Sequence, residues 1–285
     1  YLNSCISCTV SDNTVTATRT GIRLSNSDDT VVSGNNSSSN TQNGVHVVGT
    51  GSNILSGNIS NSNAEVGIYV ESSGPTEVIG NTTNTNDVSG IVIYKSSSSI
   101  VSQNNTSSND DYGIFINNSD STTVINNILN SNDHAGIQLN YADNNDIAGN
   151  EIKTHRFNGI ELNSSTGNLL TQNISRPRAT GFVVNGISYR GASNNTAFAN
   201  QFEGSSGGSA VFSDNGSVNN WVSPIEISYT FNGSIFSGII GNYYSDHNLN
   251  DSDMDGITDT EIDLPGDEPN GRYPLAAPLD FYQLQ

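Results

Sequence analysis

Near the carboxyl end, the run Asp251-Ser252-Asp253-Met254-Asp255-Gly256-Ile257-Thr258-Asp259 carries the most specific chemistry in the sequence. Its carboxylates at the first, third, fifth and ninth positions, with glycine at the sixth, match the first part of an EF-hand-type loop. Alternate aspartates direct their oxygens into one small volume, and Gly256 permits the sharp turn between them. Such a loop uses the Ile257 carbonyl as a further ligand, and Asp259 binds directly or through water. Hard oxygen donors select Ca²⁺ over zinc or copper. A structural Ca²⁺ held by Asp251, Asp253, Asp255, Ile257 and Asp259 is therefore expected. The twelfth position, where a bidentate glutamate belongs, is Ile262 between Glu261 and Asp263. That leaves the last ligand open, and a solvated acidic tail is the competing reading.

Other reactive groups are sparse. Cys5 and Cys8 are the only cysteines, and no further thiolates or histidines follow at the spacing zinc requires. In extended chain their Cα atoms lie roughly 10 Å apart, beyond disulfide range, although a turn closes that gap. An intrachain bridge, links between molecules and free thiols all stay open. Glycoside hydrolysis needs clustered carboxylates, but Asp28-Asp29, Asp110-Asp111 and Asp143 do not recur at a spacing that would gather them. Asp87, Asp110 and Asp133 are evenly spaced, with His134 beside the last. They form the best catalytic column, yet aspartates at such positions equally serve turns. Arg156, Arg176 and Arg178 are expected to cover an adjacent turn. No catalytic set is assigned.

The elements that must position these groups are written in a period. Glycine followed by apolar, any, apolar recurs at Gly21-Ile22-Arg23-Leu24, Gly44-Val45-His46-Val47, Gly67-Ile68-Tyr69-Val70 and Gly90-Ile91-Val92-Ile93. It continues at Gly113-Ile114-Phe115-Ile116, Gly136-Ile137-Gln138-Leu139, Gly159-Ile160-Glu161-Leu162 and Gly181-Phe182-Val183-Val184; every step is equal except the last, which is shorter by one. An asparagine column runs in phase through Asn35, Asn58, Asn81, Asn104, Asn127, Asn150 and Asn173. Three residues before each stands an aliphatic, from Val32 to Leu170. A second column, Asn40, Asn63, Asn86, Asn109 and Asn132, changes to His155 and Arg178. Alternation of the type Ile-x-Val marks short strands separated by turns. Only 33% of residues are hydrophobic and 13% charged. That suits a thin stacked core better than a compact globule or a disordered chain. The expected fold is all-β: a right-handed parallel β-helix solenoid of about eight to ten coils with 23-residue repeats. Stacked coils place like side chains on like, and a buried asparagine can bond its counterpart in the next coil.

These repeats resemble those of the pectin-lyase-like superfamily, specifically the NosD/CASH type common in archaeal cell-surface and sheath proteins. The likeness covers residues 8 to 200, and the text from Gly241-Asn242-Tyr243-Tyr244-Ser245-Asp246 through Arg272-Tyr273-Pro274-Leu275 looks like the tail of many NosD-like proteins. The resemblance implies the fold and an extracellular surface or sheath role. NosD itself is associated with copper-enzyme maturation. One Met, two Cys and the scattered His46, His134, His155 and His247 are poor ligand stock for copper, so that role is not carried across.

Three segments are expected: parallel β-helix repeats over 1–205, irregular aromatic-rich final coils and a cap over 206–245, and the acidic calcium-type loop and tail over 246–285. Phe198, Phe202, Phe212, Trp221, Tyr229, Phe231, Phe236, Tyr243 and Tyr244 crowd the later part, as packing for the last coils and cap. The outward column of the Gly-started strand reads Arg23, His46, Tyr69, Val92, Phe115, Gln138, Glu161, Val183. Its middle, Tyr69, Val92, Tyr94 and Phe115, is an apolar stretch of the kind that marks a protein contact. Together with Cys5 and Cys8 at an uncapped first coil, it points to lateral and end-to-end contacts between copies of the chain. Tyr1 opening directly onto repeat-like sequence reads as a processed or trimmed start. Nine basic against 28 acidic residues give a net charge of −19, which disfavours nucleic acid and anionic membranes as partners. No long unbroken apolar run exists to insert in a membrane. Sequons at Asn117, Asn163, Asn215, Asn232 and Asn250 offer sites for surface glycans. The functional expectation is a non-catalytic structural protein that self-assembles into an extracellular surface layer or sheath. The alternative is a polysaccharide-active enzyme or carbohydrate-binding module on the same scaffold.

Overall fold

The computed structural model describes residues 1–176, 187–204, 210–213, 218–247, 250–262 and 274–285. Its strands stack in parallel into three long sheets. The first holds ten strands, from Leu2–Asn3 through Ile22–Ser25, Val45–Val48, Ile68–Glu71, Ile91–Tyr94, Ile114–Asn117, Ile137–Asn140, Ile160–Asn163 and Ile187–Arg190 to Val211–Ser213. A second, nine-stranded sheet runs from Thr9–Ser11 to Thr196–Phe198, and a six-stranded third from Asn105–Ser107 to Tyr243–Tyr244. Single bridges extend the third column back through Thr82, Ile59 and Asn36 to Thr14.

The register follows the sequence period. Ile68 pairs with Ile91 and Ile91 with Ile114, so equivalent aliphatics are stacked neighbours. Strands of the first sheet bury their first and third residues, as a period of two demands. Ile68, Val70, Ile91, Ile93, Ile114 and Ile116 are all fully enclosed, and burial of such a side chain stabilises by about 1.5–3 kcal/mol.

Asparagine ladders close the turns. Asn127 Nδ2 donates to Asn150 Oδ1 (3.0 Å) and to the Val101 carbonyl (2.9 Å). Its own Oδ1 accepts the backbone and side-chain amides of Asn104 (2.9 and 3.0 Å). This ladder continues past Asn173 to Asn200 and Asn242. In the second ladder His155 replaces asparagine: its Nδ1 accepts the Asn132 amide and its Nε2 lies 3.1 Å from the Leu129 carbonyl. A third ladder, Asn145, Asn168, Asn195 and Asn219, was not legible as a column because its steps are 23, 27 and 24 residues.

The last coils depart from the expected spacing. Ile160 pairs with Ile187 and Ile187 with Val211, and both steps are longer than the regular one. The strand that continues the first sheet is therefore Ile187–Arg190. The expected eighth unit, Gly181-Phe182-Val183-Val184, lies outside the described residues, as do Arg178 and Asn215. Ile227–Phe231 and Ser234–Gly238 form an antiparallel hairpin, and Tyr282–Leu284 pairs on its other side. Tyr229, Phe231 and Tyr282 are buried there in a second small core, while Phe202, Trp221 and Tyr244 fill the main core of the last coils. Among the described residues, no helix is long and apolar enough to cross a membrane.

Candidate functional site

The outward column of the first sheet is in register as Arg23, His46, Tyr69, Val92, Phe115, Gln138, Glu161 and Ser188. Alongside it runs the turn column two residues before each repeat glycine, which reads Asp111, His134, Phe157 in successive coils. Backbone bonds from His134 N to Asp111 O and from Phe157 N to His134 O hold these three one above another. The two columns converge on Glu161.

His134 Nδ1 lies 3.4 Å from Asp111 Oδ1 and its Nε2 lies 3.9 Å from Glu161 Oε2. The ring packs between Tyr112 (4.7 Å between centroids) and Phe157 (5.1 Å), and Tyr112 also meets Phe115 at 4.9 Å. Glu161 is buried although its strand position faces outward. Asn158 Nδ2 donates to its Oε2 (2.9 Å), Asn163 Nδ2 to its Oε1 (3.2 Å), and Arg190 Nε stands 3.6 Å from Oε1. A carboxylate is held out of water only where donors and an opposite charge replace its hydration, and here they do.

The electrostatics follow from these contacts. The bond to Asp111 is the largest influence on His134 and, with Glu161, holds its pKa above the ordinary imidazole value against burial. Burial first, then the charges of Asp111 and Glu161, push the Tyr112 phenol up. Farther along the column, His46 stacks on Tyr69 at 4.9 Å and bonds Glu71 at 3.0 Å. Burial lowers the pKa of His46, and burial together with Glu71 raises Tyr69 to about 12.

The catalytic column read from the sequence is one residue away from this cluster. Asp87, Asp110 and Asp133 are exposed turn residues, and Asp133 pairs with Arg156 at 3.5 Å. Asp111, beside Asp110, is the residue that meets His134. The usable signal was the same repeat step taken two positions before the glycine, combined with the outward position of Glu161. The apolar stretch also differs from expectation. Val92 is 8% exposed, because it lies in register between the larger Tyr69 and Phe115 on neighbouring strands; it offers no free contact surface. Tyr69, Tyr94 and Phe115 are partly exposed. Cys5 and Cys8 are joined to each other across a Cα separation of 6.1 Å. In this structure they therefore link no second molecule.

The acidic loop gathers part of its expected set. Oxygens of Asp251, Asp253 and Asp255 lie within 4.8 Å of one another. Asp251 accepts the amides of Asp255 (3.2 Å) and Gly256 (3.0 Å), and Asp255 accepts that of Ile257 (2.7 Å). Asp259 turns instead to Ser252, whose hydroxyl and then its amide (2.7 Å) lower the Asp259 pKa. Burial, chiefly, raises that of Asp255. Ile257 bridges to Leu275 and lines the cavity beside Asp253, Asp255 and Asp259. Ile262, at the twelfth position, is core rather than ligand, and Asp263 lies outside the described residues.

Two family models match the sequence: the right handed beta helix region over residues 1–152, and the periplasmic copper-binding protein (NosD) over residues 102–249. The chain belongs to both families. No curated protein matches it. Among solved structures the β-helix is similar to a double mutant of the periplasmic alginate epimerase AlgG, with TM-score 0.59 and 16% identity over 74% of this chain and 67% of that one. It is also similar to DFA-IIIase from Arthrobacter chlorophenolicus A6 without its lid, with TM-score 0.56 and 16% identity over 66% and 53%. A third is the Azotobacter vinelandii mannuronan C-5 epimerase AlgE4 A-module, with TM-score 0.55 and 14% identity over 75% and 63%. At these identities the likeness shows the fold alone, and the chain spans about half the length of the DFA-IIIase chain.

The donor set does not fit copper. Among the described residues, the group of His, Cys, Asp or Glu close enough to share an ion is the three-carboxylate loop. The cysteines and histidines are engaged elsewhere: the cysteines in their disulfide, His155 in the core ladder, His46 with Glu71, His134 with Asp111 and His247 with Asp246.

Proposed function

We propose that this β-helix binds and acts on a neutral polysaccharide laid along the outward face of its ten-stranded sheet. The observation that carries the reading is the cluster around Glu161: a buried carboxylate braced by Asn158, Asn163 and Arg190, with His134 between it and Asp111. Shifted titratable groups, here His134 and Tyr112, gather at functional sites more often than elsewhere. His134 is the group placed to move a proton, and Glu161 and Asp111 stabilise its charged form. Tyr112, Phe115 and Phe157 supply ring surface against which sugar rings can pack. The net charge of −19 disfavours a polyanionic glycan. The enzymes of similar fold named above give the reading its class, not its substrate. A Ca²⁺ ion at the acidic loop would be structural here, because Asp251, Asp253 and Asp255 belong to no strand of the sheet.

The test is a panel of neutral and acidic polysaccharides, with binding followed by affinity electrophoresis and products by mass spectrometry. Binding of a neutral glycan with new products, abolished by His134→Ala and Glu161→Gln, is the expected result. Turnover that survives both substitutions, or no interaction across the panel, removes the proposal.

Self-assembly into an extracellular surface layer remains a second reading, supported by a different face. Val31, Ile54, Pro75 and Ile100 line a shallow, mainly apolar groove on the second sheet, and Ile54 is 39% exposed. Copies packing through that groove would appear as ordered tubes or lattices by electron microscopy. An Ile54→Asp chain that assembles like the parent would count against it.

A further inference from the structure

The cap contains a buried hydroxyl without a partner, and its surroundings indicate what it is for. Tyr229 is 1% exposed, and its hydroxyl makes no hydrogen bond. A buried polar group left so is destabilising and is rare without a reason. Its ring packs against Phe236 and Tyr282 at centroid distances of 5.8 and 6.1 Å.

Strand geometry gives the face on which the ring lies. Tyr229 and Phe231 are alternate residues of one strand and leave it on the same face. Phe231 lies directly under the acidic loop, since a Cβ on Gly256 would stand 2.7 Å from its ring. The Tyr282 hydroxyl donates to the Gly256 carbonyl at 2.5 Å, fixing the loop to the same aromatic layer. Burial first, and then the nearby charges of Asp255, Asp251 and Asp253, push the Tyr229 phenol up.

Three carboxylates thus converge within 4.8 Å, beside a cavity of about 450 Å³ lined by Asp253, Asp255, Asp259 and the hairpin residues Ser237, Gly238 and Ile239. Among the described residues, no ion pair neutralises Asp251, Asp253 or Asp255. We infer that Asp251, Asp253 and Asp255 hold a Ca²⁺ ion and that the Tyr229 hydroxyl hydrogen-bonds into its coordination shell, so that the ion ties the acidic loop to the cap hairpin. An all-oxygen donor set selects a hard cation. Carboxylates carried on a single loop suit the flexible geometry of Ca²⁺ better than the near-ideal octahedron that Mg²⁺ demands. This inference is independent of the polysaccharide reading.

The experiment is calorimetric titration of the full chain, stripped with EGTA, with CaCl₂ and separately with MgCl₂, accompanied by thermal unfolding in each condition. Asp253 is exposed and accepts no backbone bond within the loop, so Asp253→Asn removes charge while leaving the loop's own bonds intact. Tyr229→Phe keeps the ring stack and removes the hydroxyl. Saturable Ca²⁺ binding with a dissociation constant of about 10⁻⁶ to 10⁻³ M is expected. It should be weaker for Mg²⁺, at least tenfold weaker in Asp253→Asn and measurably weaker in Tyr229→Phe. The unfolding temperature should rise with Ca²⁺ in the parent chain. Absence of saturable binding overturns the site, as does equal affinity in parent and Asp253→Asn. Unchanged affinity in Tyr229→Phe overturns the role given to the hydroxyl.

Discussion

Replacing Asn127 by alanine tests the physical basis of the coil stack. The side chain is fully enclosed in mid-ladder. Its Oδ1 is the acceptor for two Asn104 donors, and its Nδ2 serves Asn150, the Val101 carbonyl and the Ile125 carbonyl. Alanine leaves the two Asn104 donors without an acceptor in a space closed to water, and each unsatisfied group costs about 1–3 kcal/mol. The acceptors it deserts lose less: both carbonyls belong to strands with other bonds, and Asn150 Oδ1 keeps the Asn127 backbone amide at 3.0 Å. A loss of about 3–5 kcal/mol follows, on the order of half a typical domain's stability. The comparison residue is its neighbour Ile128, which is 43% exposed; alanine there should cost less than about 1 kcal/mol. Urea titrations should be followed both by circular dichroism and by fluorescence of Trp221, which is buried in the last coils. Two probes are needed because repeat arrays can unfold in parts. If Asn127→Ala costs no more than Ile128→Ala, the ladder is decoration and the argument for its role in stacking fails.

Other perturbations follow from the same contacts. Burial lowers the pKa of His155 from 6.5 to about 4. The unfolded chain therefore binds more protons between those values, and the contribution of this residue is full above about pH 6.5 and falls toward pH 4, by up to about 1.4 kcal/mol per unit. His155→Asn should flatten that part of the profile, measured as the difference between urea midpoints of the two chains at matched pH; parallel profiles would refute it. Because Asp111 and Glu161 raise the pKa of His134, any proton donation by it should persist above the ordinary imidazole range and fall as pH rises through the raised value. Asp111→Asn should shift that limb to lower pH, read from initial rates on the glycan identified by screening. Gly256→Ala should loosen the cap, since its φ is +91° and the added Cβ would meet both Phe231 and Tyr282; a chain with unchanged unfolding temperature would contradict this.

The scaffold was legible because its determinants are local and repeated. Ile68, Ile91 and Ile114 announce their stacking through a shared step, and the asparagine column shows itself in the same way. The end of the rod was less legible because register there is set by insertions. Nothing in the spacing says that Ile187 rather than Phe182 continues the first sheet once the step from Ile160 is lengthened. The candidate site was missed for a related reason. Asp111, His134 and Glu161 come from three coils and two columns, and their meeting depends on how far the turn leans over the strand. Sequence spacing gives the coil a residue belongs to, but not that lean. The gathering of Asp251, Asp253 and Asp255 was legible because those residues are close neighbours in the chain; Asp259 departs because the Ser252 amide offers it a closer partner.

In a solenoid, chemistry is to be sought where a column stops repeating. Inward positions hold to aliphatics and asparagine, since each must fit the residue above and below it. Outward positions carry no such constraint, and a change there costs little. The turn column two residues before the repeat glycine reads Gln42, Glu65, Val88, Asp111, His134, Phe157, with no member repeated. Glu161 stands in its own outward column as a buried carboxylate. Coil stacking does not use that buried carboxylate, and truncating it would take one acceptor from Asn158, Asn163 and Arg190. Its support from three neighbouring donors is better explained by a requirement to hold one charge in one place beside His134. Under the proposed function that requirement is that of a site that meets a ligand, and this is what favours the polysaccharide proposal over assembly alone.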